Sequence, residues 1–351
     1  MEESARTCFP LVSVVIPCLN EQSFIGPCLD SILANDYPTF EILVIDGMST
    51  DGTTEVIRGY VARHETLRVL DNPQQITPSA LNIGIRESHG DIVIRMDAHA
   101  TYDKQYISKC VEALSRGDAE NVGGIWKILP RAETLFGKAI VAGLTHQFGV
   151  GFSYFRLGLS QPRYVDAVPY FCMKRETLEA LGPFNEDLVR TEDMEFNLRL
   201  KKTGGRTLLL PDIESQYYAR SDMWSFLKHN WINGVWAILP FLYSTVRPVT
   251  LRHLLPLFFV LTLIGALALS MAWPSWAGLF YAIAGSYILA MAVASFHIAY
   301  KLRDIRFLLA MPLVFINLHL GYGLGSVWGL IKSWHLLPMS SHHHQQVGSL
   351  R

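Results

Sequence analysis

Short apolar runs alternate with helix-spaced apolar positions over the first hundred residues. Residues 11–16 (LVSVVI) are apolar apart from Ser13, as in a strand buried on both faces. Pro17 and Asn20 end it. Phe24, Ile25, Cys28, Leu29, Ile32 and Leu33 then share one helical face. Residues 41–45 (EILVI) read as a second buried strand ending at Asp46, and Val56, Ile57, Tyr60 and Val61 mark a helix after the Gly52 turn. Residues 67–70 form a short third strand. Thr77-Pro78 has the residue types of an N-cap and N1 pair, opening a helix to about Ser88. Residues 91–96 (DIVIRM) form a fourth strand ending at Asp97. This order predicts an α/β fold, a mostly parallel sheet with helices on both faces. Such sheets bind ligands beyond the carboxyl ends of their strands. Asn20, Asp46 and Asp97 stand at those ends.

Further on, residues 103–116 read as a helix and 122–128 as a strand, while 130–165 show no clear period. In residues 192–202, Met194, Phe196, Leu198 and Leu200 alternate as in a strand, yet Gly204-Gly205 after Lys201-Lys202 marks a helix end. Helix is the reading adopted. From Asp222 to Phe241, Trp224, Phe226, Trp231, Trp236 and Phe241 mix with Lys228 and His229, which suits an amphipathic helix in a membrane interface. Apolar runs follow at 254–273, 276–299 and 307–331, each about long enough to span a bilayer. The third contains Pro312, Asn317 and His319. Between the last two runs lie Lys301, Arg303 and Arg306 against Asp304, which places that linker in the cytosol and, after three spans, the C-terminus outside.

Composition supports this division. Only 17% of the 351 residues are charged, and in 251–300 Arg252 alone carries a formal charge. The predicted parts are a globular domain at 1–221, an interfacial segment at 222–250, transmembrane helices at 251–335 and a tail at 336–351. A net charge of −1 gives no reason to expect nucleic acid as a partner. Cys8, Cys18, Cys28, Cys110 and Cys172 are scattered, as in neither a disulfide framework nor a zinc site, and fit a reducing cytosol. The start, MEESARTCFP, lacks the pattern of a signal peptide, so the first domain is expected on the cytosolic side of the cell (inner or plasma) membrane. His342, His343 and His344 have no cysteine or carboxylate nearby and read as a solvated tail.

Four motifs carry candidate chemistry. Val15-Ile16-Pro17-Cys18-Leu19-Asn20-Glu21 runs from a buried strand into a polar turn, and Asp46-Gly47-Met48-Ser49-Thr50-Asp51-Gly52-Thr53 follows the next strand. Asp97-Ala98-His99 ends the fourth strand, and Thr191-Glu192-Asp193 opens the helix at 192. Each alone has an ordinary explanation as a turn or as acids at a helix start. In this order they resemble glycosyltransferase family 2, of the GT-A (Rossmann-like) type. Asn82-Ile83-Gly84 and the segment 173–187 (MKRETLEALGPFNED) fit the same pattern, the latter leading into the catalytic acid. Arg95-Met96-Asp97-Ala98-His99-Ala100-Thr101-Tyr102 and His319-Leu320-Gly321-Tyr322-Gly323-Leu324-Gly325 resemble the succinoglycan-type glucosyltransferase subgroup.

The resemblance implies a nucleotide-sugar donor, a UDP-sugar by preference, held by Pro17, Asn20, Glu21 and Asp46. It implies a divalent cation, Mn²⁺ or Mg²⁺, on Asp97, with His99 where the family has a second Asp; oxygen ligands suit both metals, and a histidine favours Mn²⁺. Asp193 would be the base that deprotonates the acceptor hydroxyl in an inverting transfer, with Glu192 beside it. Asp166 is a candidate for the acceptor side and Arg220 for the diphosphate. Processive relatives carry Gln-x-x-Arg-Trp, and Gln216-Tyr217-Tyr218-Ala219-Arg220 does not meet that pattern, which argues against processive synthesis. The expected acceptor is a polyprenyl-diphosphate-linked saccharide among membrane lipids, met by Lys228, Arg247 and Arg252. Two alternatives stand beside this reading: a polyprenyl-phosphate sugar synthase, and a non-catalytic membrane scaffold, the latter motivated by His99.

Overall fold

The computed structural model describes residues 9–243 and 251–336. The expectations for Cys8, Arg247, the side chain of Arg252 and His342–His344 fall outside the described residues. Two compact units form: Met1–Lys127 with Gly158–Tyr217, and Ile128–Leu157 with Tyr218–Arg351.

The first unit is built on one sheet. Strands β1 (Val12–Cys18), β2 (Phe40–Asp46), β3 (Leu67–Asp71) and β4 (Ile92–Arg95) pair in parallel, β1 lying between β2 and β4. Helices α1 (Ile25–Leu33), α2 (Thr53–Val61) and α3 (Thr77–Glu87) connect them. Successive strand residues point to opposite faces, so the continuous apolar runs feed two cores. Val14, Ile16, Ile42 and Val44 pack with Ile25 and Leu29 of α1 and Ile57 of α2. Val15, Leu43, Ile45 and Val93 pack with Ala80 and Leu81 of α3. A Cβ on Gly84 would lie 2.2 Å from Val15 Cγ1, so a hydrogen at that position lets α3 lie directly on β1. The N-cap of α3 is Ile76, in extended backbone, not Thr77 as the sequence pattern implies. Pro78 still falls in the first turn, where its missing N–H costs nothing.

After β4 come β5 (Ala100–Tyr102), α4 (Tyr106–Ser115) and β6 (Asn121–Pro130). Short helices α5 (Leu135–Leu144), α6 (Gln147–Val150) and α7 (Tyr154–Leu157) follow, then β7 (Arg163–Val165), β8 (Cys172–Lys174), α8 (Arg175–Leu181), α9 (Glu192–Lys202) and β9 (Thr207–Ala219). The sheet order is β3-β2-β1-β4-β8-β6-β9-β5, with β7 also on β9. It is therefore a mixed sheet: β8 pairs antiparallel with β4 and β6, and β9 antiparallel with β5 and β7. Cys18, Cys28, Cys110 and Cys172 are free and buried.

The second unit contains α5 to α7, α10 (Met223–Trp236), α11 (Pro240–Tyr243), α12 (Leu251–Ala272), α13 (Ala277–Leu302), α14 (Phe307–Ile316) and α15 (Tyr322–Leu336). Among the described residues, three stretches are long and apolar enough to cross a membrane: His253–Ala272, Pro274–Leu302 and Phe307–Trp334. The third continues through a π-helical turn at Asn317–Gly321. Its polar residues are satisfied internally, as a low-dielectric surrounding requires. Asn230 donates to Asn317 Oδ1 (2.9 Å), and His319 meets the Phe148 carbonyl (2.9 Å) and the Tyr287 hydroxyl (3.1 Å).

Helix α10 is not simply an amphipathic surface helix. Gly321, Gly325 and Gly329 recur every fourth residue, facing Leu227, Trp231 and Val235 of α10. A Cβ on Gly325 would sit 2.2 Å from the Trp231 carbonyl, and one on Gly234 2.0 Å from that of Tyr322. Small residues thus let two helix backbones touch. Trp224 remains 76% exposed, so one edge of α10 keeps an outward aromatic.

Candidate active site

Strands β1 and β2 end side by side, Cys18 opposite Asp46. Their following turns are stitched together. The Asn20 N–H donates to Ser49 Oγ (2.9 Å), the Thr50 N–H to Asn20 Oδ1 (2.8 Å), and the Glu21 N–H to Thr53 Oγ1 (2.8 Å). Asp46 is buried and turns both oxygens inward. Oδ1 accepts from the Ser49 hydroxyl (2.6 Å), and Oδ2 from the Thr54 hydroxyl (2.7 Å). Pro17 is the last but one paired residue of β1, opposite Ile45.

Positive φ angles mark the surrounding loops: Asn20 at 55°, Met48 at 60°, Gln75 at 58° and Thr191 at 67°. Three follow β1, β2 and β3, and the fourth precedes α9. A β-branched threonine in left-handed backbone is strained, and such strain persists where the surroundings over-determine it. Here they do. Asn82 donates to the Phe184 carbonyl (3.0 Å) and Glu186 (2.8 Å) and accepts from the Phe184 N–H (2.8 Å). Arg199 donates to the Leu181 (2.6 Å) and Pro183 (2.8 Å) carbonyls and pairs with Glu195 (3.0 Å). Phe184 stacks on Phe196 at 4.0 Å. The segment entering α9 is thereby clamped to α3 and to α9 itself. Asn82 is a structural clamp, a role its motif alone did not reveal.

At the start of α9 the helix dipole favours carboxylates, and Glu192 and Asp193 occupy the first turn. Asp193 Oδ1 accepts from the Met194 N–H (2.8 Å). Arg95 joins this pair to the end of β4. Its Nε donates to Asp97 Oδ1 at 2.9 Å, and its Nη1 to Glu192 Oε1 at 3.2 Å. Burial opposes the guanidinium's charge, but Asp97, Glu192 and Asp193 outweigh it and hold Arg95 firmly protonated. Burial pushes Glu192 up to about 7, helped by the Asp193 carboxylate and opposed by Arg95. Burial also raises Asp193, again against the pull of Arg95. One guanidinium thus faces three carboxylates, a local excess of negative charge that favours protons or a cation. The sequence assigned Arg95 no role; its signal was a charged side chain in an otherwise apolar strand.

His99 Nδ1 lies 3.0 Å from Glu21 Oε1, and its ring meets Tyr217 edge-on at 5.6 Å. Tyr217 stacks parallel on Trp126, 4.3 Å between centroids, and Trp126 contacts Tyr170 at 6.0 Å. The structure thus brings Glu21, His99, Asp97, Glu192 and Asp193 into a region rimmed by aromatics. Among the described residues no three His, Cys, Asp or Glu side chains form a closed metal site. The donor set fits a cation held instead by one carboxylate, one imidazole and a substrate's phosphate oxygens. Mg²⁺-type ions are commonly bound with few protein ligands. Asp166 is not part of this group: it is exposed and pairs with Lys201 (2.9 Å) in the last turn of α9. Arg220 follows β9 and belongs to the second unit.

A Rossmann-like mixed sheet with acidic groups gathered at its strand ends defines a GT-A glycosyltransferase. The chain belongs to glycosyl transferase family 2, whose family model matches residues 13–182. Succinoglycan biosynthesis protein ExoA of Rhizobium meliloti is 30% identical over 261 residues, covering 69% of this chain and 77% of that protein. The dolichyl N-acetyl-alpha-D-glucosaminyl phosphate 3-beta-D-2,3-diacetamido-2,3-dideoxy-beta-D-glucuronosyltransferase of Methanococcus voltae is 27% identical over 337 residues, 92% of this chain and 97% of that one. Mannosyltransferase PcManGT of Pyrobaculum calidifontis, solved with GDP-Man and Mn²⁺, shares the fold with a TM-score of 0.55 at 21% identity, over 92% of this chain and 88% of that one. The chain is therefore a glycosyltransferase of glycan biosynthesis with helices long and apolar enough to span a membrane.

Proposed function

We propose that this enzyme transfers one sugar, with inversion, from a nucleotide donor to a polyprenyl-diphosphate-linked saccharide at the cytosolic face of the cell membrane. The observation that carries the proposal is Arg95, which bridges Asp97 (2.9 Å) and Glu192 (3.2 Å). It ties the residue expected to meet the donor diphosphate to the pair expected to meet the acceptor. Asp193 takes the proton of the acceptor hydroxyl as that oxygen attacks the anomeric carbon; burial makes it a stronger base than a solvated aspartate. Pro17, Asn20, Glu21 and Asp46 receive the nucleoside, and release of Asp46 from Ser49 and Thr54 would free its oxygens for a base N–H or a ribose hydroxyl. Asp97 and His99 would hold a divalent cation, which neutralises the leaving diphosphate when bound.

Lys301, Arg303 and Arg306 support a cytosolic position for the linker between the second and third spans, in the compartment of nucleotide sugars. The printed activity of the Methanococcus voltae relative, a transfer onto a dolichyl phosphate-linked sugar, supports a carrier-linked acceptor, and the name of the Rhizobium meliloti relative supports a place in polysaccharide synthesis. A donor screen in membranes expressing the chain, with mass spectrometry of extracted lipid, tests the proposal. A lipid-diphosphate saccharide longer by one sugar supports it. A lipid monophosphate sugar would show a polyprenyl-phosphate sugar synthase instead, and no transfer from any donor would show a scaffold.

A further inference from the structure

The second unit contains two histidines that the transfer reaction does not use. His146 caps α6, its Nδ1 accepting from the Phe148 N–H at 3.1 Å. A backbone N–H can only donate, so that nitrogen is bare and the neutral ring carries its proton on Nε2. His146 Nε2 lies 3.2 Å from His297 Nδ1. His146 is therefore the donor, and His297 in turn carries its proton on Nε2. The relay ends on a donor with an outward aspect, since His297 is exposed on α13. Burial, with His297 and Lys301 nearby, lowers the pKa of His146.

Lys301 lies one turn along α13 from His297, on the same face. Asp304, the acid of the adjoining linker, is taken by Arg306 at 2.7 Å. Val293 and Leu289 continue that face one and two turns back from His297, 62% and 66% exposed, and Tyr300 beside Lys301 is 77% exposed. An apolar strip thus leads up to an N–H and an ammonium, with an aromatic at the boundary.

We propose that His297 Nε2–H and Lys301 Nζ bind the phosphate of a membrane lipid, whose acyl chain lies along Leu289 and Val293. A free phosphate would have no use for that strip, which is why the lipid is the favoured source. The proposal rests on reading α13 as membrane-spanning and does not depend on the identity of the acceptor.

The test is native mass spectrometry of the detergent-purified full chain. The probes are phosphatidic acid and diacylglycerol of the same acyl composition, with inorganic phosphate as competitor. Phosphatidic acid should bind more tightly than diacylglycerol by on the order of tenfold, the scale of a hydrogen bond to a charged group. His297→Phe and Lys301→Met should each remove that preference. Lys332→Met, a charge-matched change near the far end of the third span, should retain it. Lys301 is exposed, so its variant folds whatever happens at His297. Equal binding of the two lipids, an undiminished preference in both site variants, or full displacement by inorganic phosphate would overturn the proposal.

Discussion

Glu21 Oε1 stands 3.0 Å from Nδ1 of His99, so the carboxylate of the first turn fixes the orientation of the His99 ring. With Nδ1–H given to Glu21, the lone pair sits on Nε2, the nitrogen free to meet a metal. We expect EDTA to abolish activity and Mn²⁺ to restore it at least as well as Mg²⁺. Asp97→Ala should weaken donor binding. Glu21→Gln should lower Mn²⁺ affinity roughly 10–100-fold, the usual cost of losing an outer carboxylate. Electron paramagnetic resonance of Mn²⁺ with donor present measures this without turnover. Full activity in EDTA, or a strong Mg²⁺ preference, would count against His99 as a ligand.

Asp193→Asn should remove transfer while leaving nucleotide binding near normal. The amide keeps the size of the side chain but cannot take a proton, a loss of roughly 10²–10⁴-fold where a general base acts. Calorimetric titration with the nucleoside diphosphate beside a transfer assay separates the two effects. Turnover like the wild type would falsify the assignment of the base.

Arg95→Met should move the acid limb of the kcat–pH profile to higher pH. The active form has Asp193 ionised, and burial raises its pKa while Arg95 pulls it down. Removing the positive charge leaves the upward push of burial unopposed, so the pKa of Asp193 rises further. Glu192 gives a second readout, of stability. Its folded value of about 7 lies above its ordinary 4.5, so its contribution is full below 4.5 and is lost as pH rises through 7. The thermal midpoint of the substrate-free enzyme should carry a falling component across that window. An unmoved acid limb in the variant argues against Arg95 acting on Asp193.

Much of the first half of the fold was legible because each parallel strand is buried twice. Runs such as ILVI in β2 split Ile42 and Val44 to one core and Leu43 and Ile45 to the other. The antiparallel part was harder. β7 and β8 are three residues each, too short to show a period, and β9 carries polar residues from Asp212 to Gln216. Helix α5 lies inside the stretch that shows no clear period: it is apolar nearly all round, and a Cβ on Gly143 would lie 2.6 Å from Val314 of α14. The acidic motifs were visible in sequence as separate pieces. Their link through Arg95, and the Glu21–His99 pair, depend on contacts 97 and 78 residues apart in the chain, which no local spacing encodes.

Gly325→Ala should destabilise the second unit by about 1–3 kcal/mol, the cost of forcing an extra carbon into a filled space. The added Cβ would lie 2.2 Å from the Trp231 carbonyl, a backbone atom that cannot step aside. Gly265→Ala is the control, because a Cβ added there would meet no atom within 4 Å. Thermal midpoints of the two variants in the same detergent compare them directly. Equal midpoints would mean that α10 and α15 are not in backbone contact.

The acceptor prediction follows from where the acidic pair at the start of α9 and the apolar helices lie in the chain. Glu192 and Asp193 precede α10 by about thirty residues, and α10 carries Trp224 and Lys228 and precedes in the chain the three membrane-length stretches found among the described residues. A lipid carrier confined to the bilayer is met far more often by an enzyme anchored beside it, which raises its effective concentration. We therefore expect the intact enzyme to use a lipid-diphosphate saccharide with a kcat/KM well above that for the same saccharide free in water. Removing the chain from residue 222 onward is the wrong comparison, because α5 would lose α14 and leave its apolar surface bare. The sound test keeps the full chain in liposomes and varies only the acceptor. The water-soluble saccharide, the saccharide diphosphate on a short alkyl chain and the polyprenyl form are compared at one donor concentration. A rise in kcat/KM along that order supports membrane recognition of the acceptor. Equal values for all three would mean that the helices anchor the enzyme and take no part in choosing what it glycosylates.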